Sequence, residues 1–234
     1  MPAVVILAGG CATRLYPITK TMPKIMVEVA GKPFIVHQLD LLKRNGFKKV
    51  IICSGYLSKQ IEDFIRDGRK YGLSVDFSVD GEKLLGTGGA IKKALPLLTD
   101  VFVVMYGDSY LNIDFKVVID YFLSHNKNGL MTIFKNANKW DKSNIVCKDG
   151  EIIIYDKNAH NKKMEYIDYG LSILRKSAFD EINKRSSFDL VEVYRGLIQR
   201  KQMLGFEVKN RFYEIGSRSG LAETEKYLFE LSKN

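Results

Sequence analysis

The sequence predicts an α/β fold, a mostly parallel sheet flanked by helices, with a small antiparallel subregion in its second half. Three observations carry this. Apolar, β-branched runs alternate with amphipathic stretches through the first half, the pattern of βαβ units. One of these runs ends in Tyr106-Gly107-Asp108, a glycine and a carboxylate at the edge where open α/β sheets place their ligands. Beyond residue 125 the texture changes to short alternating runs, with the hairpin signal Asp149-Gly150 between two of them.

Residues 4–7 form the first predicted strand. Residues 33–45 place Phe34, Ile35, Gln38, Leu39, Leu41 and Leu42 near helical spacing, and Gly46 supplies a stop. A strand over 49–54 follows, then a helix over 58–71 with Ile61, Phe64 and Ile65 on one face, and an alternating strand over 74–79. A helix over 90–98 leads to a buried strand over 101–105, and a further helix spans 115–125. Short strands over 131–136, 145–147 and 151–155 make up the antiparallel subregion. A strand over 169–174 returns to the main sheet. Helices near 177–184 and 190–199, a strand near 204–208 and a closing helix over 219–231 complete the chain.

The 234 residues suit one domain over 1–234 with a proper core. The hydrophobic fraction of 46% and charged fraction of 27% are those of an ordinary globular protein. No segment approaches the roughly 18 uninterrupted apolar residues of a membrane span, and residues 2–8 lack the basic leader of a signal peptide. The expected location is the cytoplasm, and no membrane partner is expected. Cys11, Cys53 and Cys147 are scattered and odd in number, which predicts reduced thiols rather than a disulfide framework or a zinc site. The net charge of +9 is spread over single and paired cations without a nucleic-acid module, so it points to a polyanionic small substrate or to solubility rather than to nucleic acid.

The chemistry-bearing segment is LAGGCATRLYPITKTMPK at residues 7–24. Gly9 and Gly10 let backbone amides approach phosphate oxygens that a Cβ would keep away. Arg14 offers a fork of donors to those oxygens and Lys24, after Pro23, a point charge. On residue types alone an ordinary strand-to-helix turn with surface cations fits as well. The segment lacks the Gly-Lys-Ser/Thr of a Walker loop and the third glycine of a dinucleotide fingerprint. Asp108 after its buried strand suits a hard cation, or a turn or helix cap.

At this point the sequence resembles the sugar-1-phosphate nucleotidyltransferase family. The likeness continues in order through LGTGGAIKKAL at 85–95, YGDSYLNID at 106–114, YDK at 155–157, IDYG at 167–170 and YEIGSRSGLAE at 213–223. It implies a Rossmann-like fold with the antiparallel subregion on the acceptor side. It also implies transfer of a nucleoside monophosphate from a nucleoside triphosphate to a sugar 1-phosphate, with release of pyrophosphate and formation of a nucleotide sugar. Carried over residue by residue, Arg14 and Lys24 are catalytic. Leu7, Ala8, Gly9, Gly10, Thr13, Arg14, Lys24, Gly86, Thr87 and Gly88 bind the nucleotide, with Thr87 offering a hydroxyl. Asn144, Asp156, Lys157, Asp168 and Gly170 bind the sugar phosphate, although turn chemistry accounts equally for Asn144. Asp108 and Glu214 hold Mg²⁺.

The turn at 85–90 resembles guanylyltransferases for mannose- or heptose-type phosphates. A UTP- or CTP-dependent enzyme for an amino-sugar phosphate is the alternative within the family. Two departures stand out, Ala12 where relatives often carry glycine and Glu214 where they usually carry aspartate. They favour the rival reading from another class, a non-catalytic nucleotide- or sugar-binding regulator. A Rossmann oxidoreductase is a third reading, without a convincing glycine fingerprint to support it. His37, His125 and His160 share no ligand spacing, and Trp140 is read as local packing. The expected assembly is a monomer or simple homodimer.

Overall fold

The computed structural model of the chain describes residues 1–136, 142–157, 163–182 and 186–233. Trp140 and His160 lie outside the described residues. The first half runs β1 (Ala3–Ala8), a two-residue pair β2 (Glu28–Val29) and β3 (Lys32–Pro33), α1 (Phe34–Arg44), β4 (Lys49–Ser54), α2 (Ser58–Ile65), β5 (Ser74–Val79), α3 (Gly86–Ala94) and β6 (Val101–Tyr106). It continues through β7 (Ser109–Tyr110) and α4 (Phe115–Leu123). The second half runs β8 (Gly129–Lys135), β9 (Ile145–Lys148), β10 (Glu151–Tyr155), β11 (Tyr166–Arg175), α5 (Leu190–Gln199), β12 (Met203–Val208), β13 (Tyr213–Glu214) and α6 (Arg218–Leu231).

Among the described residues nine strands form one sheet in the order β5-β4-β1-β6-β11-β8-β12-β10-β9. From β5 to β6 every pairing is parallel. Beyond β6 the pairings are antiparallel except for β8 with β12. The strand over 131–136, expected in a separate antiparallel subregion, is thus a central strand of the main sheet. The β9–β10 hairpin ends the sheet, and Tyr166 of β11 pairs back onto Ile145 of β9.

Alternation along β1 sends Val4 and Ile6 to one face, against α1, α2 and α4, and Val5 to the other, against α3 and α5. Both faces are covered, so the parallel strands read as continuous apolar runs. The chain visits β4 and β5 on one side of β1 before crossing to β6 on the other. This opens a crevice at the carboxyl ends of β1 and β6, where such sheets bind ligands. No helix among the described residues is long and apolar enough to cross a membrane.

Several helix boundaries differ from the sequence-based expectation, two of them for a clear local reason. α2 stops at Ile65 rather than 71 because Arg66 and Gly68 take positive φ. Helix α3 begins at Gly86 rather than 90, since the Phe188 carbonyl accepts the Gly88 and Gly89 N–H groups at 3.0 and 3.2 Å and so satisfies its first turn. Near 177–184 only a 3₁₀ turn at Lys176–Phe179 is described.

Candidate active site

A cleft of about 250 Å³ opens at the β1–β6 crevice, lined by Leu7, Ala8, Gly9, Gly10, Lys24, Asp80, Gly86, Thr87, Tyr106 and Asp108 among others. The two strand ends are held together by the Gly107 N–H donating to the Leu7 carbonyl at 2.9 Å. A Cβ on Gly107 would sit 2.6 Å from that carbonyl oxygen, so the contact requires glycine. At Gly10 the situation is reversed. A Cβ there would meet nothing within 4 Å, so no packing demands glycine and the bare backbone faces open space.

Past Gly10 the chain turns at Ala12, in the left-handed region at φ 48°. Thr19 Oγ1 donates to the Ala12 carbonyl at 2.8 Å and locks the turn. The left-handed backbone supplies the physical reason that glycine would suit this position. Thr13 and Arg14 follow on an exposed 3₁₀ turn and do not line the cleft. Arg14 has no hydrogen-bond or ion-pair partner among the described residues, and its Nη2 would lie 3.1 Å from a Cβ on Gly216. Lys24, on a 3₁₀ turn after Pro23, ion-pairs through Nζ with Asp108 Oδ2 at 2.7 Å. Both side chains keep partial exposure, 20% and 24%, so a ligand in the cleft reaches them.

The Asp108 carbonyl accepts the Ile215 N–H at 2.9 Å, and β7 pairs with β13 so that Glu214 stands opposite Ser109. Glu214 Oε1 accepts the Ser217 hydroxyl at 2.7 Å and Oε2 accepts the Gly216 N–H. Ser217 in turn accepts the Gly220 N–H as the N-cap of α6. The Glu214 carboxylate therefore closes its own turn. A Cβ on Gly216 would lie 2.7 Å from Glu214 Oε2 and 3.2 Å from Asp108 Oδ2, so the two carboxylates face one bare backbone position.

In the glycine-rich turn Gly86 and Thr87 line the cleft, and its glycines also serve packing. Gly86 has φ 69°, and a Cβ there would lie 2.6 Å from the Phe188 carbonyl oxygen. Gly88 does not line the cleft, and its Cβ would strike the Phe188 ring. Both let residues 186–190 close over α3. The Thr87 hydroxyl accepts the Leu190 N–H at 2.8 Å, which ties it to α5 and leaves its O–H proton to donate.

On the far side of Tyr106 a second cluster forms from β9–β10–β11. Asp168 is half-buried, and loss of water around it pushes its carboxyl above the usual aspartate range. Its Oδ2 accepts the Tyr155 hydroxyl at 3.1 Å and the Tyr106 hydroxyl at 3.5 Å, while Oδ1 accepts the Gly170 N–H at 2.9 Å. Gly170, at φ 97°, marks the irregularity in the β11–β8 ladder. The Asn144 side-chain oxygen accepts the Asp168 N–H at 3.2 Å, and the Asn144 carbonyl accepts the Asp156 N–H at 2.9 Å. Exposed Lys157 stands 6.0 and 5.9 Å from the Tyr106 and Tyr155 ring centres. Asp156 faces Arg195 of α5 at 3.7 Å. Tyr194, bonded to Ser172 at 2.7 Å, packs on Tyr155 and closes the cluster from below.

Sequence reasoning missed Asp80, Tyr106, Tyr155, Tyr194 and Arg195. Asp80 follows β5 at the same strand edge as Asp108, a positional signal that was there to read. Its Oδ2 accepts the Leu85 N–H at 3.0 Å, and burial raises its carboxyl pKa. Cys53 lines the cleft, but burial pushes its thiol up to about 12, which leaves it inert.

A glycine-lined crevice at parallel strand ends, closed by a lysine–aspartate pair, places the chain among α/β proteins with a ligand cleft at the sheet edge. The chain belongs to the nucleotidyl transferase family, which it matches over residues 3–228. It is 31% identical to a mannose-1-phosphate guanyltransferase of Candida albicans across 97% of this chain, and spans 65% of that relative's length. It is 30% identical to an N-acetylmuramate alpha-1-phosphate uridylyltransferase of Neisseria meningitidis serogroup B, covering 94% of this chain and 95% of that one. Among solved structures it superposes on HddC of Yersinia pseudotuberculosis complexed with GMP-PN, with a TM-score of 0.80 and 26% identity over 97% of this chain and 100% of the other.

Proposed function

We propose that this chain transfers a nucleoside monophosphate from a nucleoside triphosphate to a sugar 1-phosphate, releasing pyrophosphate. The observation that carries the reading is the convergence of Gly9, Gly10, Lys24, Gly86 and Asp108 on one cleft whose wall, Tyr106, also bonds to Asp168 of the second cluster. Donor and acceptor subsites side by side are what a displacement between two phosphates requires.

The residues present fit a divalent cation in the kind and closeness of their oxygens, because Asp108 Oδ2 and Glu214 Oε2 converge within 3.2 and 2.7 Å of one point beside Gly216, with Arg14 Nη2 3.1 Å from it. Mg²⁺ takes one or two carboxylates plus phosphate oxygens. Asp108 and Glu214 would hold it, and when bound it supplies charge neutralisation on the triphosphate. The chain's own groups do the rest. Gly9 and Gly10 present backbone to the phosphates, with Leu7, Ala8 and Thr13 shaping the loop. Arg14 draws the triphosphate in, and Lys24 offsets the charge that builds on the α-phosphate. Gly86 and Thr87 border the nucleoside, while Gly88 acts through packing. Lys157 binds the sugar phosphate. Asp168 and Asn144 bind sugar hydroxyls, with Gly170 and Asp156 fixing their backbone. A sugar phosphate oxygen bonds to the α-phosphorus as the bond to the α,β-bridging oxygen breaks, and that electron pair leaves with pyrophosphate.

The favoured substrates are GTP and a mannose- or heptose-type phosphate, supported by the guanyltransferase relative and by the Gly-Thr-Gly-Gly turn. One observation favours UTP with an amino-sugar phosphate, the near end-to-end match to the uridylyltransferase. The reaction belongs in the cytoplasm, where nucleoside triphosphates are supplied, with the chain as a monomer or simple homodimer. The test is a matrix of nucleoside triphosphates against sugar 1-phosphates, read by product mass. A nucleotide sugar from at least one pair is expected. No product from any pair, with active relatives as controls, contradicts the reading and leaves the binding regulator.

A further inference from the structure

Helix α1 buries two polar side chains, His37 near its edge and Gln38 deep in its apolar face. Gln38 is 0% exposed, in line with Phe34, Ile35, Leu39 and Leu42. Its Nε2 donates to the Tyr106 carbonyl at 3.0 Å and to the Ser109 carbonyl at 2.9 Å. These two acceptors bracket Gly107 and Asp108. The same turn is tied through its main chain by Gly107 N–H to Leu7 and by Ile215 N–H to the Asp108 carbonyl. Gln38 adds a side chain that spans both ends of it.

The remaining atom of the amide sharpens the point. Gln38 Oε1 is buried and has no partner among the described residues. A buried carbonyl without a donor is destabilising, whereas an apolar side chain of similar volume would fill the site without that cost. The amide is therefore present for its two donors, and those donors act on the turn that carries Asp108.

We propose that Gln38 is a positioning residue that holds the Asp108 carboxylate in place between Lys24 and Gly216 for a divalent cation and the triphosphate. It acts through the backbone and touches neither substrate nor metal. The inference rests on the nucleotidyl-transfer reading above.

The test uses the full chain and the variants Gln38→Met and Gln38→Glu, checked for folding by circular dichroism. Mn²⁺ binding is followed by electron paramagnetic resonance with a non-hydrolysable GTP analogue present and no acceptor. Each folded variant is expected to bind Mn²⁺ about tenfold more weakly, the size of effect usual when a ligand's support is removed, with metal-free binding of the analogue within about twofold of wild type. Turnover falls with the acceptor KM unchanged. A folded variant with Mn²⁺ affinity within about twofold of wild type overturns the proposal. If neither variant folds, amide exchange in the wild-type chain decides. Both Gln38 Nε2 protons should exchange slowly, and more slowly once Mg²⁺ and the analogue are added. Exchange indifferent to Mg²⁺ overturns the proposal. A wild-type chain with neither turnover nor metal-dependent analogue binding sinks the functional reading itself, whereas normal wild-type behaviour with unchanged variants sinks only the role of Gln38.

Discussion

The β1–β6 cleft and the Asp168 cluster, donor and acceptor regions of the proposed function, are built by different means. Around the cleft, main chain dominates: strand ends, bare glycines and one ion pair between Lys24 and Asp108. Around Asp168, side chains dominate, with a raised-pKa carboxyl caged by Tyr106 and Tyr155, and Tyr194 packed beneath. Under the proposed function the difference follows from the ligands. A triphosphate brings charge that backbone N–H groups and cations can meet at close range, while a sugar brings hydroxyls that need individually aimed side chains.

If that division is right, breaking the ion pair should have the largest effect. Lys24→Ala and Asp108→Ala are each expected to lower kcat by about a hundredfold or more in steady-state assays, the scale of losing a transition-state charge partner. A loss smaller than about tenfold, roughly 1.4 kcal/mol of barrier, contradicts the assignment of that residue. The next effect falls on stability. Gly89→Ala places a methyl inside contact distance of the Ser186 carbonyl and should cost about 2–3 kcal/mol in urea unfolding.

The two regions also differ in how far the sequence reveals them. Gly9, Gly10 and Asp108 were readable because each sits just past a predicted strand end, and parallel strand ends gather in one place; Lys24 was readable only from its place after Pro23 in the segment 7–24. Periodicity likewise identified β4, β10 and α5 to the residue. Glu214 and Thr87 were harder, since their local bonds to Ser217 and Leu190 depend on turns that residue type does not specify. The tyrosine cage was not legible. Tyr106, Tyr155 and Tyr194 come from three elements brought together by long-range pairing, and aromatic residues in strands and helices read as core. Gly88 shows the converse difficulty: a glycine in a motif is ambiguous between ligand approach and chain approach until the neighbour, here Phe188, is known.

The acceptor region can be separated from the cleft by charge removal. Asp168→Asn should lower kcat/KM for the sugar phosphate by about tenfold while leaving nucleotide affinity unchanged. The same substitution should raise the melting temperature at neutral pH. Because burial raises the folded-state pKa of Asp168 above its unfolded value, its stabilising contribution is complete only below the unfolded pKa and is lost as pH rises through the folded pKa. The advantage of asparagine should therefore shrink as pH falls toward the unfolded aspartate value, in melting curves taken across that range.

The smallest expected effect lies in the loop itself. Ala12→Gly relieves the left-handed strain at φ 48° but gives the unfolded chain more freedom, so a net gain of about 0.5 kcal/mol in unfolding free energy is expected, with turnover unchanged. A loss of stability would mean that the freedom gained by the unfolded chain outweighs the strain relieved.

The central claim is that the two regions form one reaction centre joined at Tyr106. Pyrophosphate release measured with and without the sugar 1-phosphate tests it most directly. The account predicts release only when both substrates are present, in a one-to-one ratio with nucleotide sugar. Pyrophosphate released at the same rate without the acceptor would contradict it, because the Asp168 cluster would then lie outside the chemistry.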